Sequence, residues 1–275
     1  MNTDPNATGS HFGEKPHFDD LYQAEQTYFW FRHRRRVLAQ QLARLTADLA
    51  DGFQVLEVGC GNGSLLQVLE QACPRGQVTG SDLFAEGLEY ARQRVRCQLV
   101  QADVYDLPFG PQFDVIGMFD VLEHLPDEQG ALRCLTGVLR PGGRLLLTVP
   151  AYQSLWSYAD EAGGHYRRYA PRQLHAALEA AGYEVDYLTP FMALLYPLMK
   201  LGRAAAAWRN RFRSKPLDGI TLNLNEFRVS PLVNAALSGM LRLELPLLAR
   251  GARLPTGTSL LAVARPRQAA TRRAA

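Results

Sequence analysis

The sequence predicts an α/β fold: a doubly wound, mostly parallel sheet of seven strands, with a helical extension before it and a helical insert between strands six and seven. Three observations carry that prediction. From residue 53 onward, short apolar runs alternate with amphipathic stretches of helical length, as in strand–helix–strand units. The first run, Val55-Leu56-Glu57-Val58, passes directly into Gly59, Gly61 and Gly63 and then into the helical pattern Ser64 to Leu69. The last two runs, Glu184 to Leu188 and Ser259 to Ala264, flank the long apolar stretch 191–256, which far exceeds an ordinary connection between neighbouring strands.

In chain order, residues 1–17 are polar and bear Pro and Gly, and are expected to be disordered. Phe18 to Leu49 reads as helix, with the aromatic cluster Tyr28, Phe29, Trp30 and Phe31 beside the basic run Arg32, Arg34, Arg35, Arg36. Strands are expected at 53–58, 77–81, 97–101, 113–118 and 144–149, and helices near 64–72, 85–94, 127–139 and 171–181. Pro141-Gly142 marks the turn before the fifth strand. The domain division that follows joins 18–190 with 257–266 as the sheet domain, sets 191–256 apart as the insert, and leaves 267–275 as a disordered Arg/Ala-rich tail. Inside the insert, Leu232, Val233, Ala236, Leu237, Met240, Leu241 and Leu245 recur at helical spacing and form one apolar stripe.

At 275 residues the chain can bury one large core, and its 47% apolar content is that of a soluble globular protein. A net charge of +3 is too small to argue for nucleic acid, and no such partner is expected. The four cysteines, Cys60, Cys73, Cys97 and Cys134, have no C-x-x-C spacing and read as buried, reduced thiols. The first residues carry no basic-then-apolar leader, so the expected location is the cytoplasm.

Glycines at alternate positions permit a tight strand-to-helix turn and let a ligand lie against bare backbone, while Glu57 brings a carboxylate to the strand end. A dinucleotide site wants a small third residue where Ser64 stands. Val78-Thr79-Gly80-Ser81-Asp82 then ends a second strand in a carboxylate, where nucleotide-binding folds hold a ribose. Gln101-Ala102-Asp103-Val104 ends the third strand. Asp120-Val121-Leu122-Glu123-His124-Leu125 leaves the fourth, and Leu139-Arg140-Pro141-Gly142-Gly143 precedes the fifth.

In this order and spacing, the segments resemble the class I S-adenosylmethionine (SAM) methyltransferases of the methyltransferase type 11/12 group, including the ubiquinone-type O-methyltransferases. The resemblance implies a Rossmann-like sheet whose sixth and seventh strands form an antiparallel hairpin. It also implies SAM as cofactor and S-adenosylhomocysteine as product. On this likeness Glu57, Gly59, Cys60, Gly61 and Gly63 form the first cofactor loop, Asp82 takes the ribose hydroxyls and Leu83 the adenine face. Asp103 and Val104 meet the adenine edge, and Asp120 lies under the methionine part. Arg36 or a neighbour is the candidate partner for the methionine carboxylate. Two other readings stand beside it: a catalytically silent SAM-binding partner subunit, and an NAD-type oxidoreductase, against which Ser64 and the D-V-L-E-H and L-x-P-G-G segments count.

Methyl transfer from a sulfonium is an in-line displacement in which positioning supplies much of the acceleration. An oxygen acid or ammonium nucleophile also needs a base. His165, in Gly163-Gly164-His165-Tyr166-Arg167-Arg168-Tyr169, is the favoured base or substrate contact, with His124 second. Tyr166, Arg167 and Tyr169 are candidates to clasp the acceptor. Asp160, Glu161, His124 and His165 contain metal-ligating side chains, but no spacing among them demands a metal and none is expected. The insert is expected to be a helical lid for a small acceptor, hydrophobic or lipid-linked and methylated on O or C. Peripheral membrane contact and a homodimer are the other uses open to it.

Overall fold

The computed structural model describes residues 18–210 and 229–267. The expectations for 1–17 and 268–275, and the part of the insert from 211 to 228, lie outside the described residues. Two helices open the chain, α1 (Phe18–Thr27) and α2 (Phe29–Thr46). The single helix expected over 18–49 breaks at Tyr28, whose backbone is extended (φ −74°, ψ 134°). Then follow β1 (Gln54–Val58), α3 (Leu66–Ala72), β2 (Gln77–Asp82), α4 (Ala85–Arg92), β3 (Gln98–Gln101), β4 (Phe113–Phe119), α5 (Glu128–Val138) and β5 (Leu139–Pro150). A short α6 (Tyr158–Ala162), which the sequence reading missed, precedes α7 (Pro171–Ala180) and β6 (Tyr183–Phe191). The insert contributes α8 (Leu195–Asn210), α9 (Pro231–Arg242) and α10 (Leu245–Ala249), and β7 (Ser259–Pro266) returns to the sheet.

The seven strands run in the order β3-β2-β1-β4-β5-β7-β6. The first five are parallel, and β7 lies antiparallel between β5 and β6. Successive side chains of a strand point to opposite faces, and strands covered on both faces read as unbroken apolar runs. That is why Val55 packs with Leu38, Leu42 and Leu66 while its neighbour Leu56 packs with Leu132, Leu174 and Leu178. Leu146 joins the first core and Leu145 and Leu147 the second. Arg267, expected to open the C-terminal tail, is among the described residues. Arg267 donates its N–H to Gly182 O (2.8 Å) and its side chain to Glu179 (2.9 Å), which ties it to the sheet edge.

The insert divides its attachments. The start of α8 sits by the exit of β5, whereas α9 and α10 pack along α2. Leu241 and Leu248 are buried in the α2 core. Between them, Glu244 lies 2.7 Å from His33 Nε2 and accepts the N–H groups of Met192 (2.6 Å) and Ala193 (2.9 Å). Asn234 accepts from Phe29 N–H (2.7 Å) and donates to Thr27 O (2.9 Å), placing it at the first turn of α2. The apolar stripe on α9 is therefore only partly an inner face: Leu237, Met240 and Leu241 pack inward, while Leu232 is 84% exposed.

Candidate functional site

The strand order reverses between β1 and β4, and the crevice at their carboxyl ends is where open α/β sheets take ligands. The loop leaving β1 hangs on β2, with Gly59 and Cys60 N–H both donated to Ser81 O (2.8 and 3.0 Å). Gly59, Gly61 and Gly63 have φ of 74°, 50° and 80°, a region that residues with a Cβ avoid. Their surroundings differ. A Cβ on Gly59 would stand 2.4 Å from Val121 Cγ2 in the exit of β4, and one on Gly63 2.9 Å from Ala91 Cβ, while one on Gly61 meets nothing within 4 Å. Gly59 and Gly63 thus close the turn against its neighbours, and it is Gly61 that leaves the face bare. Cys60 is buried with its thiol toward Gly80. Burial, with the Glu57 and Asp82 carboxylates nearby, pushes that thiol pKa up, so the side chain stays a neutral packing group.

Asp82 accepts Gly61 N–H on Oδ2 (2.7 Å) and Phe84 N–H on Oδ1 (2.9 Å). A carboxylate accepts about four hydrogen bonds, so each oxygen keeps a lone pair for a further donor. Burial raises its pKa and these backbone bonds oppose the rise. Leu83 and Phe84 follow as exposed apolar side chains (51% and 46%). Asp103 is exposed and accepts Tyr105 N–H (3.0 Å), and Val104 beside it is buried.

Acids gather behind this loop. Glu57 is buried and its Oε2 has no hydrogen-bond partner among the described residues. Burial holds its pKa well above the usual carboxylate range, with Asp82 and Glu25 adding to the rise and Arg34 opposing it. Glu25 reaches over from α1 to accept from Asn62 Nδ2 (2.9 Å), a contact no motif signals. Arg34, not Arg36, enters the site. Its Nη1 lies 2.6 Å from Asp120 Oδ2, and its guanidinium stands 5.3 Å from the Trp30 ring centroid. Helical period explains the difference, since Arg34 shares the buried stripe of Val37, Leu38 and Gln41. Arg36 sits off that stripe, and partial burial, with Arg242 and Arg32 nearby, lowers its pKa. Asp120 holds φ 54°, which Asp tolerates better than most residues.

Past Asp120, one 3₁₀ turn (Leu122–His124) presents Glu123 and His124. Glu123 is buried, and its carbonyl accepts Tyr166 N–H (2.8 Å), which joins the exits of β4 and β5. The rings of His124 and His165 meet edge to face with centroids 4.5 Å apart. His165 Nδ1 lies 2.9 Å from Asp160 Oδ1, which also accepts Arg168 Nε (2.6 Å), and Asp160 Oδ2 accepts Ser157 N–H (2.8 Å). Burial alone would raise the Asp160 pKa, but the bonds from His165 and Arg168 bring it down to about 2. An ionised Asp160 assigns a proton to His165 Nδ1, since a carboxylate can only accept. Burial, then His165, lowers the His124 pKa to about 4, so this ring is neutral at neutral pH.

One side-chain ligand atom from each of Glu123, His124 and His165 lies within 4.8 Å of the others, an arrangement that could hold a divalent ion. The metal-ligating residues weighed from the sequence are only partly here. Asp160 is taken by His165 and Arg168, Glu161 bonds Trp156 Nε1 (3.2 Å), and Glu123 stands in their place. Two of the acceptor candidates have a partner within the chain: Arg167 Nη1 (3.0 Å) and Tyr169 OH (2.5 Å) both donate to Glu128 on α5, which ties their loop to that helix. Tyr166 remains 54% exposed.

A sequence model of the methyltransferase domain matches residues 30–188, more than half of the chain. The chain belongs to the methyltransferase domain family. The methyltransferase is 32% identical over 171 residues to a trans-aconitate 2-methyltransferase from Azoarcus sp. (strain BH72), covering 60% of this chain and 67% of that protein. It is also 32% identical over 132 residues to a ubiquinone biosynthesis O-methyltransferase from Erwinia tasmaniensis, covering 45% and 54%. It spans 62% of a probable SAM-dependent methyltransferase from Mycolicibacterium smegmatis, at 33% identity over 59% of this chain. The methyltransferase thus spans between about half and two-thirds of the length of these curated relatives. Among solved structures, the Haloferax volcanii protein in complex with the Trm112 methyltransferase activator superposes with a TM-score of 0.56 at 18% identity, covering 86% of this chain and 90% of that one. The Haemonchus contortus phosphoethanolamine N-methyltransferase 2, solved with SAM, gives 0.50 at 18% identity, covering 83% and 52%. These two likenesses show the shared fold.

SAM is the cofactor of this family, and the residues present fit it. SAM carries an ammonium and a sulfonium, and the site offers the Oε2 of Glu57, unpartnered among the described residues, with Asp82 and Glu25 near it. Of the residues that would hold it, Arg34 would face the methionine carboxylate, the remaining lone pairs of Asp82 the ribose, and the exposed Leu83 and Phe84 the adenine.

Proposed function

We propose that this methyltransferase methylates an oxygen or carbon nucleophile of a small, hydrophobic or lipid-linked acceptor, with His165 as general base. The observation that carries the proposal is the Asp160–His165 pair, 2.9 Å apart at the exit of β5, with His124 packed on the same ring. Bound SAM supplies an activated methyl group and its own leaving group. The chain has to hold the acceptor and take up its proton. Nε2 of His165 receives that proton, and the ionised Asp160 stabilises the imidazolium that forms, as a carboxylate does behind a catalytic histidine. Neutral His124 keeps a second positive charge away from it. One feature supports an apolar acceptor: Tyr152 and Tyr196 pair across the β5 exit and α8 (centroids 5.2 Å). The name of the Erwinia relative supports oxygen as the atom methylated.

The test is turnover of SAM with a panel of hydrophobic phenols, carboxylates and activated methylenes. His165→Gln is expected to lower kcat by about a hundredfold or more while leaving SAM affinity within twofold, the range that a lost general base accounts for. Unchanged kcat in that variant would reject the base. The cluster of Glu123, His124 and His165 supports a second reading, in which a divalent ion held there positions the acceptor and Asp160 orients His165 as a metal ligand. Turnover that chelation abolishes and added divalent ion restores would favour it. Turnover indifferent to chelation favours the base.

A further inference from the structure

Away from the site, the insert concentrates positive charge. Residues 192–258 hold ten Lys and Arg against three Asp and Glu, in a chain whose net charge is only +3. Among the described residues of the insert the one acid, Glu244, is buried and bonded to Met192 and Ala193, while Lys200, Arg242, Arg250 and Arg253 are exposed. The same surface is apolar. Leu232, Leu243 and Leu247 on α9 and α10 are 84%, 70% and 46% exposed, and Leu194, Leu198 and Leu201 at the start of α8 are 43%, 50% and 69% exposed. The last three are spaced by four and three residues and so share one helix face. Glu244 accepts the N–H groups of Met192 and Ala193, which brings the α9–α10 corner against the residues that lead into α8. Single exposed leucines need no explanation, but a grouped set rimmed by cations does.

Pro231–Ala249 is long and apolar enough to cross a membrane by length and composition, with mean hydropathy 1.3. The structure gives it a different posture. The chain bends at Glu244 between α9 and α10, and Leu241 and Leu248 are locked into the α2 core. A helix pair anchored on one side, with leucines and arginines on the other, is built to lie in a bilayer interface and not to span it. We infer that the α8–α10 surface docks on an anionic lipid bilayer, its exposed leucines entering the interface and Lys200, Arg242 and Arg250 meeting headgroup phosphates. Charge complementarity selects this occupant over a second copy of the chain, because two such cationic faces repel each other.

Full-length protein is sedimented with vesicles of phosphatidylcholine alone and with vesicles in which a third of the lipid is phosphatidylglycerol. Binding to the anionic vesicles is expected to be about tenfold tighter or more and to weaken as salt is added. Replacing Leu201, Leu232 and Leu243 together by Gln should cut that binding by about tenfold or more, since the apolar area entering the interface falls. Replacing Lys200, Arg242 and Arg250 by Gln should remove the preference for phosphatidylglycerol. SAM affinity, measured by calorimetry, reports that each variant is folded. Three results would overturn the inference: no sedimentation with either vesicle, equal binding of the wild type and the leucine variant, or a wild-type dimer that the leucine substitutions dissociate, which would make the second copy the occupant.

Discussion

Asp82 performs two tasks with one carboxylate, holding the glycine loop through Gly61 N–H and the β2 exit through Phe84 N–H while keeping acceptor capacity for a ribose. Asp82→Ala is therefore expected to weaken SAM binding by about tenfold or more, the range of a hydrogen bond to a charged group, and to lower stability as two N–H groups lose their acceptor. Calorimetry and urea unfolding measure the two effects separately, and SAM affinity within twofold of wild type would reject the ribose role. The glycines divide likewise. Gly59→Val drives a branched side chain into Val121 at a φ of 74° and should unfold the loop, lowering Tm along with SAM binding. Gly61→Ala meets only open space and should cost about 1–2 kcal/mol of backbone strain while still obstructing SAM. His124 adds a pH dependence. Its pKa of about 4 in the folded chain lies below the ordinary 6.5, so the unfolded chain binds more protons between those values. Stability is then complete above about pH 6.5 and falls as pH drops toward 4, by about 1–3 kcal/mol. Unfolding titrations of wild type and His124→Asn should differ in that window.

At the scale of elements, α2 is the member that connects site and insert. One of its residues, Arg34, reaches Asp120, and the adjacent one, His33, reaches Glu244. Adjacent helical positions point about a hundred degrees apart, so one helix serves the β4 exit and the α9–α10 corner at once. Glu244→Leu would leave Met192 N–H, Ala193 N–H and His33 without their shared acceptor in a buried place. The expected cost is about 3–5 kcal/mol, the range for breaking a buried polar pair from one side. Hydrogen exchange should show the loss first in α9, α10 and the start of α8. An unfolding midpoint equal to the wild type would show that the corner does not brace the fold.

For the molecule as a whole, the insert is fastened more firmly than a detachable lid. Leu241 and Leu248 complete the same core as Leu38 and Leu42 of α2, so removing 231–249 strips the helix that carries Arg34. Such a deletion is expected to lower SAM affinity as well as turnover, whereas a lid confined to the acceptor side would leave SAM binding intact. Calorimetry on a folded deletion variant distinguishes these outcomes.

Much of this architecture was legible in the order of residues, because strands and glycine turns are local. Two-residue alternation with apolar residues on both phases marks a strand covered on both faces, and it placed β1, β2, β4 and β7 within a residue or two. Glycine and terminal carboxylates singled out Gly61, Asp82 and Asp103, which do stand at or just past the carboxyl ends of β1, β2 and β3, and a histidine beside two glycines singled out His165, which pairs with Asp160. What the sequence could not settle were choices among distant partners. Arg34 over Arg36, Glu25 on Asn62, and Glu128 claiming Arg167 and Tyr169 are pairings between groups far apart in the chain. Nothing in the local pattern distinguishes a charged side chain that will meet a ligand from one that will meet a carboxylate on another helix. Only the packing of α1, α2, α5 and the insert around the sheet decides which charges are buried together, and a buried charge must take the partner that packing brings to it.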